Sequence, residues 1–491
     1  MFNQKLTTVI SLIGSLLIVL GCTLLLPIVV GFIYGEELVY AFIIPALLSL
    51  GLGFITQFKF KKGKINLTTG MLVCALGWIT ISFVGALPFY LKLDYTYLDT
   101  LFETVSGFTT TGITVFTDLS NLPKSIQFWR CLIQWLGGLG FLTFFLVVTF
   151  RGQAGLFQLF TAESHKINQS RPVPNIFKTV KILWGIYALF TLLEIILLKI
   201  LGVSLFDAIT HSFTTLSTGG FTNYDASIAY FKQTGYQYYK LIEYVTILFM
   251  TLGGINFLVH YKVLTGEINA LWDKIEMKYF WAIISGVSSL IILDHYLAFP
   301  FKWSGLERTI RYTLFQVVSI LTTTGFATEG IITSFYPALA KQFFLLLMFI
   351  GGCVGSTAGG IKIIRVAILN KLLQREVKKI YYPKHAVLPV VVDGNKISDQ
   401  EIFKTVALVF GWLILIVIGG AITAISSNLS AWQAFSGIFS ALGNIGPFYF
   451  SVEKMQSLSA GIKITYIIGM LAGRLEILPI FVLFSKQAWR R

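Results

Sequence analysis

Charge is the first thing this chain lacks. Of its 491 residues, 12% are Asp, Glu, Lys or Arg, while 55% are hydrophobic. Soluble globular domains carry roughly 25% charged residues, so an ordinary water-soluble fold is excluded. Cysteine is rarer still. Cys22, Cys74, Cys131 and Cys353 are isolated, with no C-x-x-C pair. That excludes a disulfide framework and a thiolate metal site of the usual spacing. Cys22, Cys74 and Cys131 lie in or beside apolar runs and read as buried membrane thiols. His165, His211, His260, His295 and His385 show no ligand spacing. No nucleophile–base pair and no phosphate-cradling loop is visible, so the chain does not read as an enzyme.

What the chain has in quantity is apolar length. Long apolar runs fall near 7–33, 38–57, 68–91, 126–150, 176–202, 238–263, 279–300, 338–370, 400–425 and 460–485. About 20 apolar residues cross a bilayer core, so ten spanning helices are expected. The first run passes Val30 without a small-residue cleavage site and reads as a retained transmembrane helix. Shorter runs fall near 97–108, 205–216, 308–321 and 430–442. At ~1.5 Å per residue these cannot cross a ~30 Å core. They suit re-entrant half-helices, which membranes tolerate only where protein or water surrounds them. The expected fold class is an all-α polytopic membrane protein.

The net charge of +15 could point to nucleic acid. No basic stripe alternates with aromatics on a soluble segment, and Lys and Arg collect in cytoplasmic loops of membrane proteins. Lys59, Lys61, Lys62 and Lys64 follow the second run. Arg151, Lys166, Arg171, Lys178 and Lys181 mark a later loop. Arg365, Lys371, Arg375, Lys378, Lys379 and Lys384 mark another, and Lys486, Arg490 and Arg491 come last. With ten spans, all of these share one side when both termini are cytoplasmic. Glu36, Glu37, Asp94, Asp99, Asp118 and Asp207 then lie on the outside, where an acidic vestibule would concentrate cations.

Four short segments follow the half-helices: Thr109-Thr110-Thr111-Gly112, Ser217-Thr218-Gly219-Gly220, Thr322-Thr323-Thr324-Gly325 and Gly443-Asn444-Ile445-Gly446. Aligned on Gly112, Gly220, Gly325 and Gly446, they are spaced by 108, 105 and 121 residues. Six positions upstream stand Ser106, Thr214, Ser319 and Ser440, and thirteen upstream Asp99, Asp207, Tyr312 and Gln433. Gly138, Gly254, Gly352 and Gly473 lie 26, 34, 27 and 27 residues downstream. A fixed period marks a repeat architecture. Residues 1–65 read as two leading helices, and 66–165, 166–270, 271–385 and 386–491 as four helix–pore-loop–helix units around one axis.

Such segments suit a cation. A narrow filter must replace an ion's water with oxygen ligands, and backbone carbonyls do so without trapping the ion. Glycine reaches φ > 0 at little steric cost, which lets successive carbonyls turn inward. Half-helix C-termini add negative dipole ends. No segment carries a carboxylate, so a monovalent cation fits better than a divalent one. The filter set is Thr110, Thr111, Gly112, Thr218, Gly219, Gly220, Thr323, Thr324, Gly325, Asn444, Ile445 and Gly446. Asn444 and Ile445 make the ring only approximately four-fold.

The third unit contains Gly355-Ser356-Thr357-Ala358-Gly359-Gly360. Each glycine costs a helix about 1 kcal/mol relative to Ala, so a break is expected there, with a polar loop that can occlude the path. Arg474, in an apolar run, needs acceptors. The carbonyls or hydroxyls of 355–360 are expected to supply them, with Glu476 as another partner. Lys362 and Arg365 are expected to mark the cytoplasmic boundary. Glu194 is an intramembrane acid that could serve coupling. His211, beside the second segment, is expected to pack or hydrogen-bond.

The T-T-T-G, S-T-G-G-F, T-T-T-G-F and G-N-x-G-P loops, with G-S-T-A-G-G-I-K and G-R-L-E, closely resemble the Trk/Ktr/HKT potassium transporter superfamily. The leading helices and the G-R-L-E helix look most like its bacterial TrkH/TrkG subfamily. The resemblance implies a pore-forming subunit for potassium uptake across the bacterial inner membrane. It implies a homodimer in membrane lipid and a cytoplasmic TrkA-type nucleotide-binding regulatory partner. It makes Gly112, Gly220, Gly325 and Gly446 the filter glycines, Gly112 favouring potassium over sodium. Gly355–Gly360 becomes the gating loop and Arg474 its partner. Where the family's fourth loop often reads G-P-G, this chain has Gly446-Pro447-Phe448. No covalent cofactor is expected; potassium is the substrate. A sodium- or proton-coupled symporter is the alternative.

Overall fold

The computed structural model describes residues 4–37, 39–60, 63, 65–140, 176–383 and 385–489. Lys61, Lys62, Lys64, Arg151, His165, Lys166, Arg171, Lys384, Arg490, Arg491 and the latter part of the run at 126–150 lie outside the described residues. Without water to satisfy backbone groups, an apolar segment in lipid closes its hydrogen bonds within itself as a helix. Among the described residues, six helices are long and apolar enough to span: Gln4–Ile33, Tyr40–Lys59, Leu67–Lys92, Lys178–Ile200, Ile275–Ala298 and Asp399–Ile425. The first two lead the chain. Each of the other four opens a unit that continues through a half-helix, a short segment and a second helix. The result is an all-α polytopic membrane fold.

The half-helices are Tyr97–Phe108, Leu205–Leu216, Trp303–Leu321 and Ala431–Gly443. Three start on capping hydroxyls. Thr96, Ser204 and Ser430 accept from the amides of Asp99, Asp207 and Gln433 at 3.2, 3.0 and 3.3 Å. The residue thirteen positions before the segment glycine is therefore the third helical residue, where Asp or Gln completes the cap. The third half-helix starts at Trp303, ahead of the expected 308, which places Tyr312 inside it.

The second helices differ from expectation. Ten continuous spans were expected, with one break, in the third unit. All four second helices instead end or bend beside the aligned glycine. Unit one's helix Lys124–Gly138 ends there. In unit two, Tyr239–Gly254 and Phe257–Leu264 meet at 104°, and in unit four Ala460–Arg474 and Leu478–Phe484 meet at 118°. In unit three the helix Ala338–Phe349 stops, and the chain becomes helical again at Ile363. The glycines are points of close approach. A Cβ on Gly138 would lie 2.9 Å from Ser217 Cα, one on Gly254 2.5 Å from Thr322 Cγ2, and one on Gly473 1.9 Å from the Leu442 carbonyl. The second helices of units one, two and four are thus pressed against the ends of half-helices, while a Cβ on Gly352 would meet Ala358 Cβ at 2.7 Å.

Other expectations are also corrected. Asp99 and Asp207 do not offer open vestibule charge. Both are buried; Asp99 pairs with Lys463 at 2.5 Å, and Asp207 accepts from Asn223 Nδ2 and Tyr224 Oη at 2.9 Å each. Glu36 caps the helix Lys124–Gly138, accepting from the amides of Lys124 and of Ser125, the latter at 3.2 Å. Cys22 is exposed, whereas Cys74 and Cys131 are buried. A two-residue hairpin, Val391–Val392 with Asn395–Lys396, joins units three and four. Its Asp393-Gly394 turn has both φ positive, at 48° and 79°, as the right-handed twist of a hairpin favours.

Two glycines separate propensity from packing. A Cβ on Gly286, in Ile275–Ala298, meets nothing within 4 Å. Gly286→Ala should therefore stabilise by about 0.5–1 kcal/mol. Gly473→Ala should lower the melting temperature in detergent. Equal melting temperatures for the two variants would refute the close-approach account.

Candidate functional site

Each half-helix ends in the same backbone sequence. The second residue of each segment is left-handed: Thr110 at φ 55°, Thr218 at 53°, Thr323 at 57° and Asn444 at 54°. The glycine two positions on is also positive: Gly112 at 79°, Gly220 at 79°, Gly325 at 86° and Gly446 at 108°. Between them, an amide reaches back to the residue with the hydroxyl. Thr111, Gly219, Thr324 and Ile445 donate to the carbonyls of Ser106, Thr214, Ser319 and Ser440 at 2.8, 2.9, 2.8 and 3.1 Å. The hydroxyls themselves are less regular. Ser319 Oγ donates to Phe326 O at 2.7 Å and Ser440 Oγ accepts from Gly446 N at 3.0 Å. Thr214 bonds within its own helix.

The left-handed Thr is the feature the sequence reading missed. That conformation costs an L-residue roughly 1–2 kcal/mol. Three Thr and one Asn hold it, so the surroundings must fix it. Asn is the side chain that tolerates it best, which accounts for Asn444 at the one position where Thr is replaced.

The segments form a closed ring. A Cβ on Gly112 would meet Gly219 O at 2.3 Å, one on Gly220 Thr324 O at 2.0 Å, and one on Gly325 Ile445 O at 1.9 Å. One on Gly446 would meet Thr111 O at 3.1 Å. The order of contact is unit one to two to three to four and back to one. Every glycine faces the carbonyl just before its neighbour's glycine. The last corner is looser than the rest, and it belongs to the atypical segment. Phe448 and Phe450 follow it, their rings tilted at 37° with 4.3 Å between centroids.

One loop lies against three corners and is linked to the other through Arg474. Residues 350–362 fold back on themselves, with Gly351 N donating to Ile361 O at 2.9 Å. Thr357 Oγ1 reaches the Leu216 and Gly253 carbonyls at 2.9 and 3.0 Å. Thr218 Oγ1 lies 3.2 Å from Thr357 Oγ1 and 2.7 Å from Ser217 O. Gly359 N donates to Thr323 Oγ1 at 2.7 Å. A Cβ on Gly359 would lie 2.6 Å from Gly443 O. Arg474 Nη1 donates to Thr357 O at 2.9 Å and Thr110 Oγ1 at 3.1 Å, and Nη2 to the carbonyls of Gly137 and of Gly138, the latter at 2.7 Å. Glu476 pairs with Arg365 at 2.5 Å. Lys362 also departs from expectation. Its Nζ turns to the Ala358 carbonyl and to Gly359 O, the latter at 3.3 Å, and Arg365 is buried.

Behind the ring stand ion pairs that the sequence reading did not single out. Arg130 and Glu103, both fully buried, meet at 2.7 Å. Glu103 also accepts from Thr114 Oγ1 and Val115 N at 2.9 and 3.0 Å, while Arg130 Nη1 donates to Thr222 O at 3.0 Å. The Arg130 guanidinium lies 4.3 Å from the Phe221 ring centroid. The pair thus ties the strand after Gly112 to the strand after Gly220. Gln134 adds a clamp on Gly219 O at 2.6 Å and Phe221 N at 3.0 Å. Arg311 of unit three bonds Glu243 of unit two and Glu307. A charge inside an apolar run was the available signal. Glu194, which was singled out, is fully buried, with the Thr215 side chain beside it. His211 Nδ1 lies 2.8 Å from Asp207 O, among Tyr224 and Phe231.

Stranding one member of a buried ion pair costs about 3–5 kcal/mol. Arg130→Gln should accordingly cause a large fall in melting temperature, and Glu103→Gln/Arg130→Gln should recover part of it. A double variant no more stable than the single would count against the pairing.

Comparison with known proteins accords with this geometry. The family model TrkH, described as a cation transport protein, matches residues 40–290 and 301–490. The Trk system potassium uptake protein TrkH of Escherichia coli K12 is 33% identical over 486 residues, covering 98% of both chains. Its TrkG counterpart in the same organism is 30% identical over 497 residues, covering 100% of both. An uncharacterised cation transporter of Methanocaldococcus jannaschii is 33% identical over 482 residues, covering 97% of this chain and 95% of that one. The crystal structure of the potassium transporter TrkH from Vibrio parahaemolyticus superposes with a TM-score of 0.84 at 29% identity, covering 99% of this chain and 100% of that one. The chain therefore belongs to the TrkH family of cation transport proteins.

Proposed function

We propose that this chain is the pore-forming subunit of a potassium uptake system in a bacterial inner membrane. The observation that carries the reading is the closed ring of four glycine–carbonyl contacts at the ends of four half-helices. Half-helix C-termini place negative dipole ends there, and the segments offer carbonyls and hydroxyls but no carboxylate. A weak, multi-oxygen site of that kind suits a dehydrating monovalent cation. The relatives named potassium uptake proteins support potassium as the ion.

In this reading, Thr110, Thr111, Gly112, Thr218, Gly219, Gly220, Thr323, Thr324, Gly325, Asn444, Ile445 and Gly446 form the filter. The loop Gly355-Ser356-Thr357-Ala358-Gly359-Gly360 is the gate beneath it, held by Arg474. Both termini are cytoplasmic, the chain works as a homodimer, and a TrkA-type nucleotide-binding subunit regulates it. A coupled symporter is the second reading, and the buried Glu194 favours it. Rubidium-86 uptake into liposomes, with sodium competition and with or without an imposed proton gradient, separates the two. Uptake without a proton or sodium gradient supports the pore; strict dependence on one supports the symporter.

Two variants probe the parts. Gly112→Ser places a side chain at φ 79° and 2.3 Å from Gly219 O, and should weaken discrimination of potassium against sodium. An unchanged permeability ratio would remove Gly112 from the filter. Arg474→Ala, or deletion of 355–360, should raise basal rubidium flux. Inserted, folded protein with no rise would remove the loop from the gate.

A further inference from the structure

The left-handed residues have a second task beside shaping the ring. Thr110, Thr218 and Thr323 come from three different units, yet the hydroxyl of each meets the same small assembly beneath. Thr323 Oγ1 accepts the Gly359 amide at 2.7 Å. Thr218 Oγ1 lies 3.2 Å from Thr357 Oγ1. Thr110 Oγ1 accepts from the Arg474 nitrogen that also holds Thr357 O. All three Thr and Thr357 are fully buried. In the fourth unit the equivalent Asn444 turns elsewhere, donating to Thr111 Oγ1 and Met470 O at 2.9 Å each.

We propose that the hydroxyls of Thr110, Thr218 and Thr323 are a latch that holds the loop 355–360 closed against the ring. The proposal rests on the reading of that loop as the gate. Its physical basis is the cost of burial. The Gly359 amide and the Thr357 hydroxyl sit away from water and must be satisfied. Thr323 Oγ1 satisfies the Gly359 amide, and Thr218 Oγ1 donates to Thr357 Oγ1, whose own proton goes to the Leu216 or Gly253 carbonyl; the loop gains these bonds only in this docked position. Moving the loop off the ring surrenders several bonds at once, so the latch biases the resting state toward closure. The hydroxyl explains why Thr recurs where glycine would fit the backbone with less strain. A glycine would relax the conformation and remove the latch.

The test is basal rubidium-86 flux through the full chain in liposomes, without a regulatory partner. Thr323→Val keeps the shape and β-branching but removes the acceptor, and Thr357→Val removes the hydroxyl on the loop. Each should raise basal flux about five-fold, the factor that one buried hydrogen bond implies. Gly286→Ala, in a spanning helix away from the ring and the loop, should stay at the low basal level. Misfolding lowers flux, so a rise is not a folding artefact. The latch is overturned if Thr323→Val leaves basal flux unchanged or lowers it, or if Gly286→Ala rises as far as Thr357→Val. Deletion of 355–360 separates the two levels of failure. A deletion that raises flux alongside silent Val variants removes only the latch, while a silent deletion removes the gate reading with it.

Discussion

The close passage of backbone against backbone governs this structure. At three corners of the ring there is no room for a single carbon between a glycine and the neighbouring carbonyl. Such an approach works only if each chain turns sharply off the end of its half-helix, through a left-handed residue and on to a glycine. Everything around the ring serves to hold that turn. The half-helices are short because they must end there. The second helices break because they press on the same ends through Gly138, Gly254 and Gly473. The charged residues in the membrane stand where they can bind the strands leaving the turns.

Holding the turns takes more than shape. Backbone in a left-handed conformation is strained, and peptide groups leaving a helix end are unsatisfied. The ladder from Thr111, Gly219, Thr324 and Ile445 back to Ser106, Thr214, Ser319 and Ser440 answers the second need. Arg130, Glu103 and Gln134 answer both for units one and two. An isolated charge in a low-dielectric core is expensive. Around the ring, Arg130 and Glu103 meet each other, and Arg474 is met by carbonyls and a hydroxyl of units one and three.

Much of the architecture was legible in the sequence because its causes are local. Apolar length marked the six long helices, and shorter apolar runs marked the four half-helices. The recurrent glycine gave the register of the repeats. Other features were not legible because their causes are distant. Asp99 looked like surface charge until Lys463, far along the chain, came to meet it. Thr110, Thr218 and Thr323 carried no sign of positive φ, since Thr ordinarily avoids it and only the ring imposes it. The breaks in the second, first and fourth units were missed for the same reason. One or two glycines in an apolar run read as tolerated helix positions until a neighbour is seen to press against them.

The loop 350–362 exists once, although the unit that carries it exists four times. It touches Thr218, Thr323 and Gly443 directly, and Arg474 links it to Thr110. It therefore occupies space that belongs to every quarter in common. Four copies of it could not fit there together. A ring built from four identical subunits would have to repeat any such insertion at each corner or forgo it. Joining the quarters in one polypeptide lifts that restriction, because each quarter can then diverge alone. Asymmetry here is the freedom that covalent linkage confers, and the price of it is a ring whose fourth corner need no longer match the others.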